Sequence, residues 1–526
     1  MKVFGKNKIY HLKKTTGLIK KRFYSSIYDR WELIVGIESH AQLKTTTKLF
    51  SGAKAIYSGI PNEHVSVIDA SLPGVLPTIN SNCITQAIKM GLALDCSINN
   101  TSYFDRKHYF YCDLPAGYQI TQQDVPLAIN GKMTLSNRNI LFDEDLEEND
   151  SKKEEEKLDM EKTVRINHLK LEQDSGKMLH DNHHIFTFVD LNRAGIALIE
   201  IVTEPDIRSS LEAGKYVKQL QHLLMHVGSS DAQMSEGSLR CDINISVRKI
   251  GDNNFGTRCE VKNVNSIKAI MQSIDYEFQR QVEILEGGGR IIQESRQWDS
   301  RHKKTFPMRT KEENVDYRYM PEPDLPALII SNELLESIKS NMPEMPQVRY
   351  QRFIKDYKLN EYDATVILSD PISADYFENV VKGRNAEKVS NWITSELFGL
   401  LNKEGLKMKE NPVSIEQLSS IIDSIESGSI SGKIGKLIIA QMFKGDDRNA
   451  NQIAESNGWL LITNEKEIES ICKRELEENP DQVEKYRSGK KNVFKFFMGN
   501  VMKKTKGTIH PELSNQIMRD LLDEKR

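Results

Sequence analysis

The sequence predicts an α+β fold, with an antiparallel sheet in the first part of the chain and helices in the rest. Between Trp31 and about Asp324, short alternating segments are separated by Gly, Pro, Asn and Asp, as strands and turns are. After the proline-rich stretch 321–326, apolar residues recur at helical spacing up to the C-terminus. The 526 residues, 38% hydrophobic and 28% charged, have a globular composition and a length that favours roughly two to four domains.

These changes of pattern set the expected domains. A sheet domain is expected at 29–325 and an all-helical domain at 326–456. The helical pattern is interrupted again near Asn457 and Gly458, which predicts a separate C-terminal tail domain at 457–526.

The N-terminal segment 1–28 contains eight Lys and Arg residues and no Asp or Glu. This composition is typical of a mitochondrial transit peptide, and it predicts a location in the mitochondrial matrix. A basic arm that binds nucleic acid is the alternative. Removing a leader that holds eight of the 72 basic residues leaves the 75 acidic residues in clear excess. Any nucleic-acid partner must then be held by local basic patches.

Three further features bound the possibilities. The charge-dense stretch 142–162 has almost nothing apolar to bury, which predicts a disordered, acidic surface insertion. No apolar run approaches the roughly 20 residues of a membrane-spanning helix, so no membrane insertion is expected. The six cysteines show no zinc-ligand spacing, which favours free buried thiols over disulfides or metal ligands.

Several predicted strands have one apolar face and one reactive face. In 33–43 the odd positions are largely apolar, so a period of two places Glu38 and His40 together on the opposite face. The same alternation in 239–248 presents Arg240, and in 257–262 it presents Lys262. These faces could be the solvated side of an antiparallel sheet. Their mixture of carboxylates, His, Arg and Lys also suits divalent cations and phosphate oxygens.

Two acidic positions sharpen this interpretation. Glu200 interrupts the apolar run 196–202, and burying it without a partner would cost several kcal/mol. Pairing with Arg193 and ligation of a metal are both open. Glu172 lies on one face of 169–177, before a turn at Ser175 to Lys177 where the backbone could approach phosphate. The segment 428–434 is not a P-loop, and there is no G-x-G-x-x-G after a strand and no G-x-S-x-G elbow.

The same segments resemble, nearly end to end, the B subunits of tRNA-dependent glutamyl/aspartyl amidotransferases. The resemblance rests on ordered motifs that span about 290 residues of the chain. They include VGIESHAQL at 35–43, LPGVLP at 72–77, FDRKHYFY at 104–111, LEQDSGK at 171–177, EIVTEPD at 200–206, GSLRCDIN at 237–244 and DYRY at 316–319. The match is looser in the C-terminal half, where it runs through MGNVMKKTKG at 498–507.

The resemblance implies a cradle of antiparallel sheet similar to the glutamine-synthetase catalytic fold, holding ATP and Mg²⁺. It implies a carbon–nitrogen ligase, glutaminyl-tRNA synthase (glutamine-hydrolysing), acting on Glu-tRNA(Gln) in mitochondrial translation. The side-chain carboxylate of the tRNA-bound glutamate takes a phosphoryl group from ATP, and ammonia then displaces the phosphate. The implied partners are the amidase (glutaminase) component of the enzyme, which supplies the ammonia, and a small third subunit.

The resemblance also implies roles for individual residues. The implied Mg²⁺ ligands are Glu38, His40, Glu172 and Glu200. The implied phosphate clamps are Lys177, Arg193, Arg240, Lys262 and Arg318. Of these nine residues, the implied catalytic group is Glu38, His40, Lys262 and Arg318.

The sequence departs from the family pattern at two places. Many relatives hold zinc with cysteines where this chain has 50–53 and 66–70, which contain none, so no zinc is expected. Gln173 stands where an acidic residue is common.

In the tail, a basic and aromatic cluster suits contact with the tRNA backbone, and a solvated lysine-rich helix face is the alternative. Its members are Lys490, Lys491, Lys495, Lys503, Lys504 and Lys506, beside Phe494, Phe496 and Phe497. With the resemblance, tRNA binding by this tail is the preferred interpretation.

Overall fold

The computed structural model describes residues 27–56, 59–135, 162–180, 186–308, 317–505 and 507–523. The leader at 1–28, apart from its last two residues, therefore lies outside the described residues. The acidic stretch at 142–162 also lies outside them, except for Lys162, which begins a strand. The chain divides into two compact units, 1–345 and 346–526.

The first unit is built around a nine-stranded sheet with the order β14-β13-β12-β11-β1-β10-β7-β6-β2. All its neighbouring strands are antiparallel except β12 and β13. Its strands are β1 (Trp31–Gln42), β2 (Ser97–Ile98), β6 (Ala128–Leu135), β7 (Lys162–Gln173), β10 (Ala197–Thr203), β11 (Leu239–Lys249), β12 (Cys259–Val264), β13 (Ser295–Asp299) and β14 (Lys304–Pro307). The prediction of a large antiparallel sheet is confirmed.

Smaller sheets flank the large one. The strands β15 (Met320–Pro321), β4 (Asp105–His108) and β5 (Tyr118–Thr121) form a three-stranded sheet in that order. Two-stranded sheets join β3 (Thr101–Ser102) to β16 (Leu328–Ile329) and β8 (Lys177–His180) to β9 (Thr187–Asp190).

One face of the nine-stranded sheet is covered by helices. The helices of this unit are α1 (Ser81–Ala93), α2 (Ser210–His226), α3 (Ile267–Glu286) and α4 (Asn332–Ser340). Ser209 and Ser266 cap α2 and α3 by accepting hydrogen bonds from backbone amides of the first turn. Apolar side chains of both helices share one core with the odd-numbered positions of β1 and β11. The even-numbered positions of these strands face the other way, and they carry the candidate site.

The boundary between the units lies later than the sequence suggested. Residues 326–345 were expected to begin the helical domain, but they belong to the first unit. Leu328 and Ile329 pair with β3, and Ile330 and Ile338 are buried in the core of the sheet unit. The prolines at 321–326 interrupt strands at the surface and do not end the domain.

The second unit is helical, as the periodicity predicted. Its helices are α5 (Pro346–Lys355), α6 (Glu361–Leu368), α7 (Pro371–Val380), α8 (Ala386–Asn391), α9 (Phe398–Glu404), α10 (Ile415–Glu426), α11 (Gly432–Met442), α12 (Ala450–Ser456), α13 (Glu465–Glu478), α14 (Pro480–Arg487), α15 (Phe494–Lys504) and α16 (Pro511–Asp523). A π-helical turn at Trp392–Leu397 joins α8 to α9. Helices α13 to α16 enclose a hydrophobic cluster of their own.

Two smaller points complete the fold. No helix within the described ranges is long and apolar enough to cross a membrane. All six cysteines are free, and the prediction of burial holds for five of them but is wrong for Cys112, which is exposed.

Candidate functional site

A polar cavity of about 360 Å³ lies on the uncovered face of the large sheet. Its walls come from β1, β7, β11 and β12 and from the small sheet β15-β4-β5. The lining includes Glu38, His40, Lys107, Tyr109, Gln119, Glu172, Asp174, Arg240, Asp242 and Lys262. Five of the nine predicted site residues are therefore brought together around one cavity.

The strand register explains why they meet. His40 of β1 lies opposite Glu200 on one side and Arg240 on the other. Glu38, two residues earlier on the same face, lies opposite Asp242. Because side chains at the same level of paired strands point to the same face, these groups converge although they are far apart in sequence.

At the floor of the cavity, one imidazole contacts three carboxylates. His40 Nε2 lies 3.3 Å from Glu172 Oε1, 3.5 Å from Glu200 Oε2 and 3.6 Å from Glu38 Oε1. Ligand atoms of Glu38, His40 and Glu200 all lie within 4.8 Å of one another. Such a convergence of carboxylates, with Glu172 and Glu200 buried and Glu38 partly exposed, is the arrangement that a divalent cation favours.

The protonation behaviour of the cluster reflects this excess of negative charge. Burial alone would lower the pKa of His40, but hydrogen bonds to Glu172 and Glu200 outweigh it and raise the pKa to about 10. Burial and the charge of Glu200 raise the pKa of Glu38. Without a cation, a proton on His40 therefore offsets part of the carboxylate charge.

Glu200 does not pair with Arg193, which was one of the two open interpretations. Burial would raise its pKa, but His168 and His40, together with the charge of Lys170, lower it. Lys170 Nζ lies 2.9 Å from Glu200 Oε1, and His168 Nε2 lies 3.6 Å from the same oxygen. Sequence reasoning missed His168 and Lys170, although both lie at period-two spacing from Glu172 on β7.

Arg193 acts at the edge of the site. Its guanidinium donates to the carbonyl oxygens of Ser175 at 3.0 Å and Gly176 at 2.5 Å. It also lies 3.5 Å from Asp174, whose carboxylate accepts a 2.8 Å hydrogen bond from Arg240. Arg193 therefore fixes the loop that holds Asp174, and only Arg240 of this pair lines the cavity.

Lys262 stands on the opposite wall between two carboxylates. Its Nζ lies 3.1 Å from Asp242 and 3.2 Å from Glu260. Burial would lower its pKa, but the charges of Asp242 and Glu260 raise it above the ordinary value of a lysine. Lys262 thus stays a cation at the cavity wall throughout the neutral range.

The structure places the last two predicted cations away from the cavity lining. Lys177 lies in β8 opposite Asp190 and is exposed, and Arg318 is also exposed. The turn after Asp174 does not present free amides to a phosphate. The amide of Ser175 donates to Asp174, and that of Gly176 donates to the carbonyl of Asp113 at 2.8 Å.

A second cavity, of about 230 Å³, follows the first along the same strands. Gly36 precedes Glu38 on β1, and Asn244 follows Asp242 on β11, so the two cavities share one face of the sheet. Its lining is mostly apolar, with Ile34, Ile37, Val202, Pro205 and Phe255 beside Thr203, Asn244, Ser246 and Arg258. The sequence analysis did not identify it. The available signal was Gly36, which interrupts an otherwise filled face of β1.

Comparison with known proteins agrees with this geometry. Residues 33–336 match the family model described as the GatB/GatE catalytic domain, and residues 375–522 match the one described as the GatB domain. Two similar proteins are described as the B subunit of aspartyl/glutamyl-tRNA(Asn/Gln) amidotransferase, one from Rickettsia conorii and one from Wolbachia pipientis wMel. Each is 45% identical to this chain, and each alignment covers 94% of this chain and 98% of the relative.

Proposed function

The chain belongs to the GatB/GatE family of tRNA amidotransferase B subunits, and from this premise we propose that it activates the glutamate of Glu-tRNA(Gln) with ATP. The side-chain carboxylate attacks the γ-phosphorus, an O–P bond forms, and the bond to the bridging oxygen of ADP breaks. Ammonia then attacks the acyl carbon, and phosphate leaves to give glutaminyl-tRNA. One observation carries the proposal: three carboxylates converge on His40 in a cavity walled by Arg240 and Lys262.

The reaction needs little proton transfer from the protein. A carboxylate is already anionic near neutral pH, so no general base is required to activate it. The main tasks are in-line positioning and neutralisation of charge on the transferred phosphoryl group. Arg240 and Lys262, held in place by Asp174 and Asp242, present two fixed cations for the second task.

Glu38, Glu172 and Glu200 are the residues that would hold Mg²⁺ with oxygen ligands, and His40 would take part directly or through water. A bound Mg²⁺ supplies charge neutralisation on the phosphate oxygens. This set of ligand atoms fits a divalent cation. The charge of Glu200 raises the pKa of Glu38, which reflects repulsion between the two carboxylates, and a bound cation would relieve that repulsion. Lys170 and His168 keep Glu200 ionised and oriented from the neighbouring strand.

The second cavity supports a place for the nucleoside of ATP. Its apolar lining and the ring of Phe255 suit a flat base, while Asn244 and Ser246 offer hydrogen bonds to a ribose or base edge. The strands lead from this cavity directly to Glu38 and His40, so a nucleotide seated there would extend its phosphates toward the carboxylates.

The proposed fold type, partners and location of the protein are supported by its sequence and its family. The sheet with one open, charged face supports a cradle similar in plan to the glutamine-synthetase catalytic fold. The proposed partners are the amidase (glutaminase) component that releases ammonia, tRNA, which the C-terminal tail would contact, and a small third subunit. The basic leader at 1–28 supports a place in the mitochondrial matrix.

Replacing Glu38 tests the proposed chemistry. In the assembled complex with its amidase partner, Glu38→Ala should lower the ADP release that Glu-tRNA(Gln) stimulates by roughly 100-fold or more, because a charge-stabilising group is lost. The matched control is Glu32→Gln, at the other end of the same face of β1, where the carboxylate pairs with Arg208 and Arg248. The control should keep most of the activity.

A second measurement separates catalysis from folding. Thermal unfolding of Glu38→Ala should remain near that of the unchanged protein, since the side chain is partly exposed and belongs to no apolar core. Stimulated ADP release that persists at full rate in a folded Glu38→Ala protein would refute the proposed role of the cavity.

A further inference from the structure

The first residues that the structure describes are packed into the sheet unit. Ile27 is 1% exposed and belongs to the same hydrophobic core as the odd-numbered positions of β1. The ring of Tyr28 stacks on that of Phe278, with centroids 4.7 Å apart and planes inclined by 21°. Phe278 is a buried residue of α3. Ile27 and Tyr28 therefore belong to the folded domain, although the sequence analysis placed both in the leader at 1–28.

Hydrogen bonds and an ion pair fix the backbone directly after these residues. The amide of Arg30 donates to the carbonyl of Ile27 at 3.1 Å, and the carbonyl of Arg30 accepts a 3.0 Å hydrogen bond from the amide of Ile250. The Arg30 guanidinium lies 2.9 Å from Glu286 Oε1, at the end of α3, and Trp31 Nε1 donates to the same oxygen at 3.0 Å. The chain is thus held in place from Ile27 up to Trp31, where β1 begins.

The composition of a leader ends at nearly the same place. The segment 20–26 reads KKRFYSS, in which Arg22 is the last basic residue before Ile27 and is followed by two serines. Asp29 is the first acidic residue of the chain. Mitochondrial leaders are rich in Arg and Ser and poor in acidic residues, so the composition of a leader continues up to Ser26.

We propose that a leader peptidase hydrolyses a peptide bond between Arg22 and Ile27, so that the mature chain keeps Ile27 and Tyr28 as its first packed residues. This inference rests on the proposed location in the mitochondrial matrix. Hydrolysis adds water across one amide bond and leaves a carboxylate on the leader and an amine on the mature chain. The composition sets the early limit of the cut, and the packing of Ile27 sets the late limit.

A later cut is incompatible with the packing of the domain. Cleavage after Ile27 would remove a buried side chain and the carbonyl that accepts the amide of Arg30, and it would place a charged amine beside an apolar core. Cleavage after Tyr28 would also uncover the face of Phe278 on which the tyrosine ring stacks. Because tolerance of truncation depends on the burial and hydrogen bonding of the affected backbone, the cut must precede Ile27.

The N-terminus of the mature protein tests the proposal directly. The full chain is imported into isolated mitochondria and recovered from the matrix, and its N-terminal peptide is identified by mass spectrometry. The first residue of the mature protein should lie between Phe23 and Ile27. A mature protein that begins at Tyr28 or later, or one that still carries Arg22, would overturn the proposal.

Shortened chains test the late limit in purified protein. A chain that starts at Ser25 should melt at the same temperature as the full chain. A chain that starts at Asp29 should melt lower by about 5 °C or more, since it lacks the buried isoleucine and the stacked tyrosine. If that chain does not fold, Ile27→Ala in the full chain should still lower the melting temperature, whereas Asp29→Ala, at an exposed neighbour, should not. Equal melting temperatures for Ile27→Ala and the unchanged protein would overturn the late limit.

The proposed cleavage and the proposed chemistry fail in different ways. A mature chain that starts outside the range from Phe23 to Ile27, with ADP release still lost in Glu38→Ala, overturns the cleavage site and leaves the chemistry standing. A chain that is not imported overturns the proposed location and the cleavage with it, whereas the measurement on Glu38→Ala in the assembled complex is unaffected. Unchanged ADP release in Glu38→Ala overturns the chemistry alone.

Discussion

The strand β1 shows how single residues divide one face of a sheet into two sites. Glu38 and His40 fill their positions with groups that can bind a cation, whereas Gly36, two residues earlier, leaves its position empty. The empty position forms part of the apolar cavity, so a residue without a side chain creates the space that a nucleoside would need. The identity of each even-numbered residue therefore decides whether a charged group or open space lies above that position of the strand.

A side chain at position 36 is expected to weaken ATP binding without unfolding the protein. A Cβ at Gly36 would meet no atom closer than 3.9 Å, so Gly36→Val should fold, and a β-branched residue suits the centre of a strand. We expect the KM for ATP to rise by about ten-fold or more, because a cavity side chain of this size excludes part of the base. Steady-state kinetics with varied ATP measures this.

The control places a valine on a strand outside both cavities. Thr163→Val, on β7, changes a residue that lines neither cavity, and it should leave the KM for ATP unchanged. A Gly36→Val protein with normal melting temperature and normal KM for ATP would show that the nucleoside lies elsewhere.

At the scale of elements, the loops beside β1 are joined by a buried ion pair. Lys48 Nζ lies 2.9 Å from Asp69 Oδ2, and both side chains are buried. Asp69 also accepts hydrogen bonds from Ser51 Oγ at 3.2 Å and from the amide of Ser66 at 2.9 Å. These contacts join the stretches 50–53 and 66–70, neither of which contains a cysteine. Direct hydrogen bonds thus hold these loops together in this chain.

The ion pair also reaches the candidate site. Lys48 donates to the carbonyl of Leu191 at 3.3 Å, and the amide of Leu49 donates to the carbonyl of Gly195. The segment between Leu191 and Gly195 carries Arg193, which fixes the loop around Asp174. Burial lowers the pKa of Lys48, and the charge of Asp69 opposes this change and favours the ionised pair.

Removing one partner should be costly. Lys48→Met leaves the carboxylate of Asp69 buried without its cation, and we expect the free energy of unfolding to fall by about 3–5 kcal/mol. The double variant Lys48→Met/Asp69→Leu should recover much of that loss, since two apolar residues replace the pair. Urea denaturation measures both. A zinc chelator should leave the melting temperature of the unchanged protein as it is, and a lowered temperature would contradict the assignment.

The strands also show which contacts of the site can be predicted from the sequence alone. The period-two pattern was enough to place Glu38 with His40 on the reactive face of β1, and Arg240 and Lys262 on the reactive faces of β11 and β12, because alternation is a local property of each strand. The partner of Glu200 was not accessible in this way. Lys170 meets Glu200 only through the register of β7 against β10, which no local pattern encodes.

Proximity in sequence was misleading for the same reason. Arg193 is close to Glu200 along the chain, but Gly195, with φ +82°, turns the backbone between them. Arg193 then points to Asp174. The apolar cavity was missed because it depends on Gly36 and on Phe255, which β1 and a loop after β11 bring together only in the folded chain.

At the scale of the whole molecule, the C-terminal helices divide their lysines into two groups. Lys491 pairs with Asp523 at 2.9 Å, and Lys504 pairs with Glu475 at 2.6 Å and with Glu478. Lys490, Lys495 and Lys503 are exposed, and no ion pair joins them to another residue in the part of the chain that the structure describes. Phe497 is buried in the core of this region, while Phe496 is 42% exposed.

The lysines of the basic tail are therefore not equivalent, although the sequence analysis grouped them as one cluster. Lysines that already neutralise a carboxylate gain less from a phosphate than lysines that face only water. The second group, together with the exposed ring of Phe496, is therefore the better candidate for contact with a tRNA backbone.

The two groups make a matched comparison possible for tRNA binding. Replacing Lys490, Lys495 and Lys503 together by Gln should weaken binding of Glu-tRNA(Gln), and the slope of log Kd against log salt should fall by about one for each lysine that contacts a phosphate. Replacing Lys491 and Lys504 by Gln should change the slope less and lower the melting temperature more, since their carboxylate partners lose a cation. ATP binding should be unaffected in both variants, because the two cavities proposed for the nucleotide lie in the sheet unit. An unchanged salt slope in the triple variant would assign the tail a structural role and place the tRNA contacts on other surfaces.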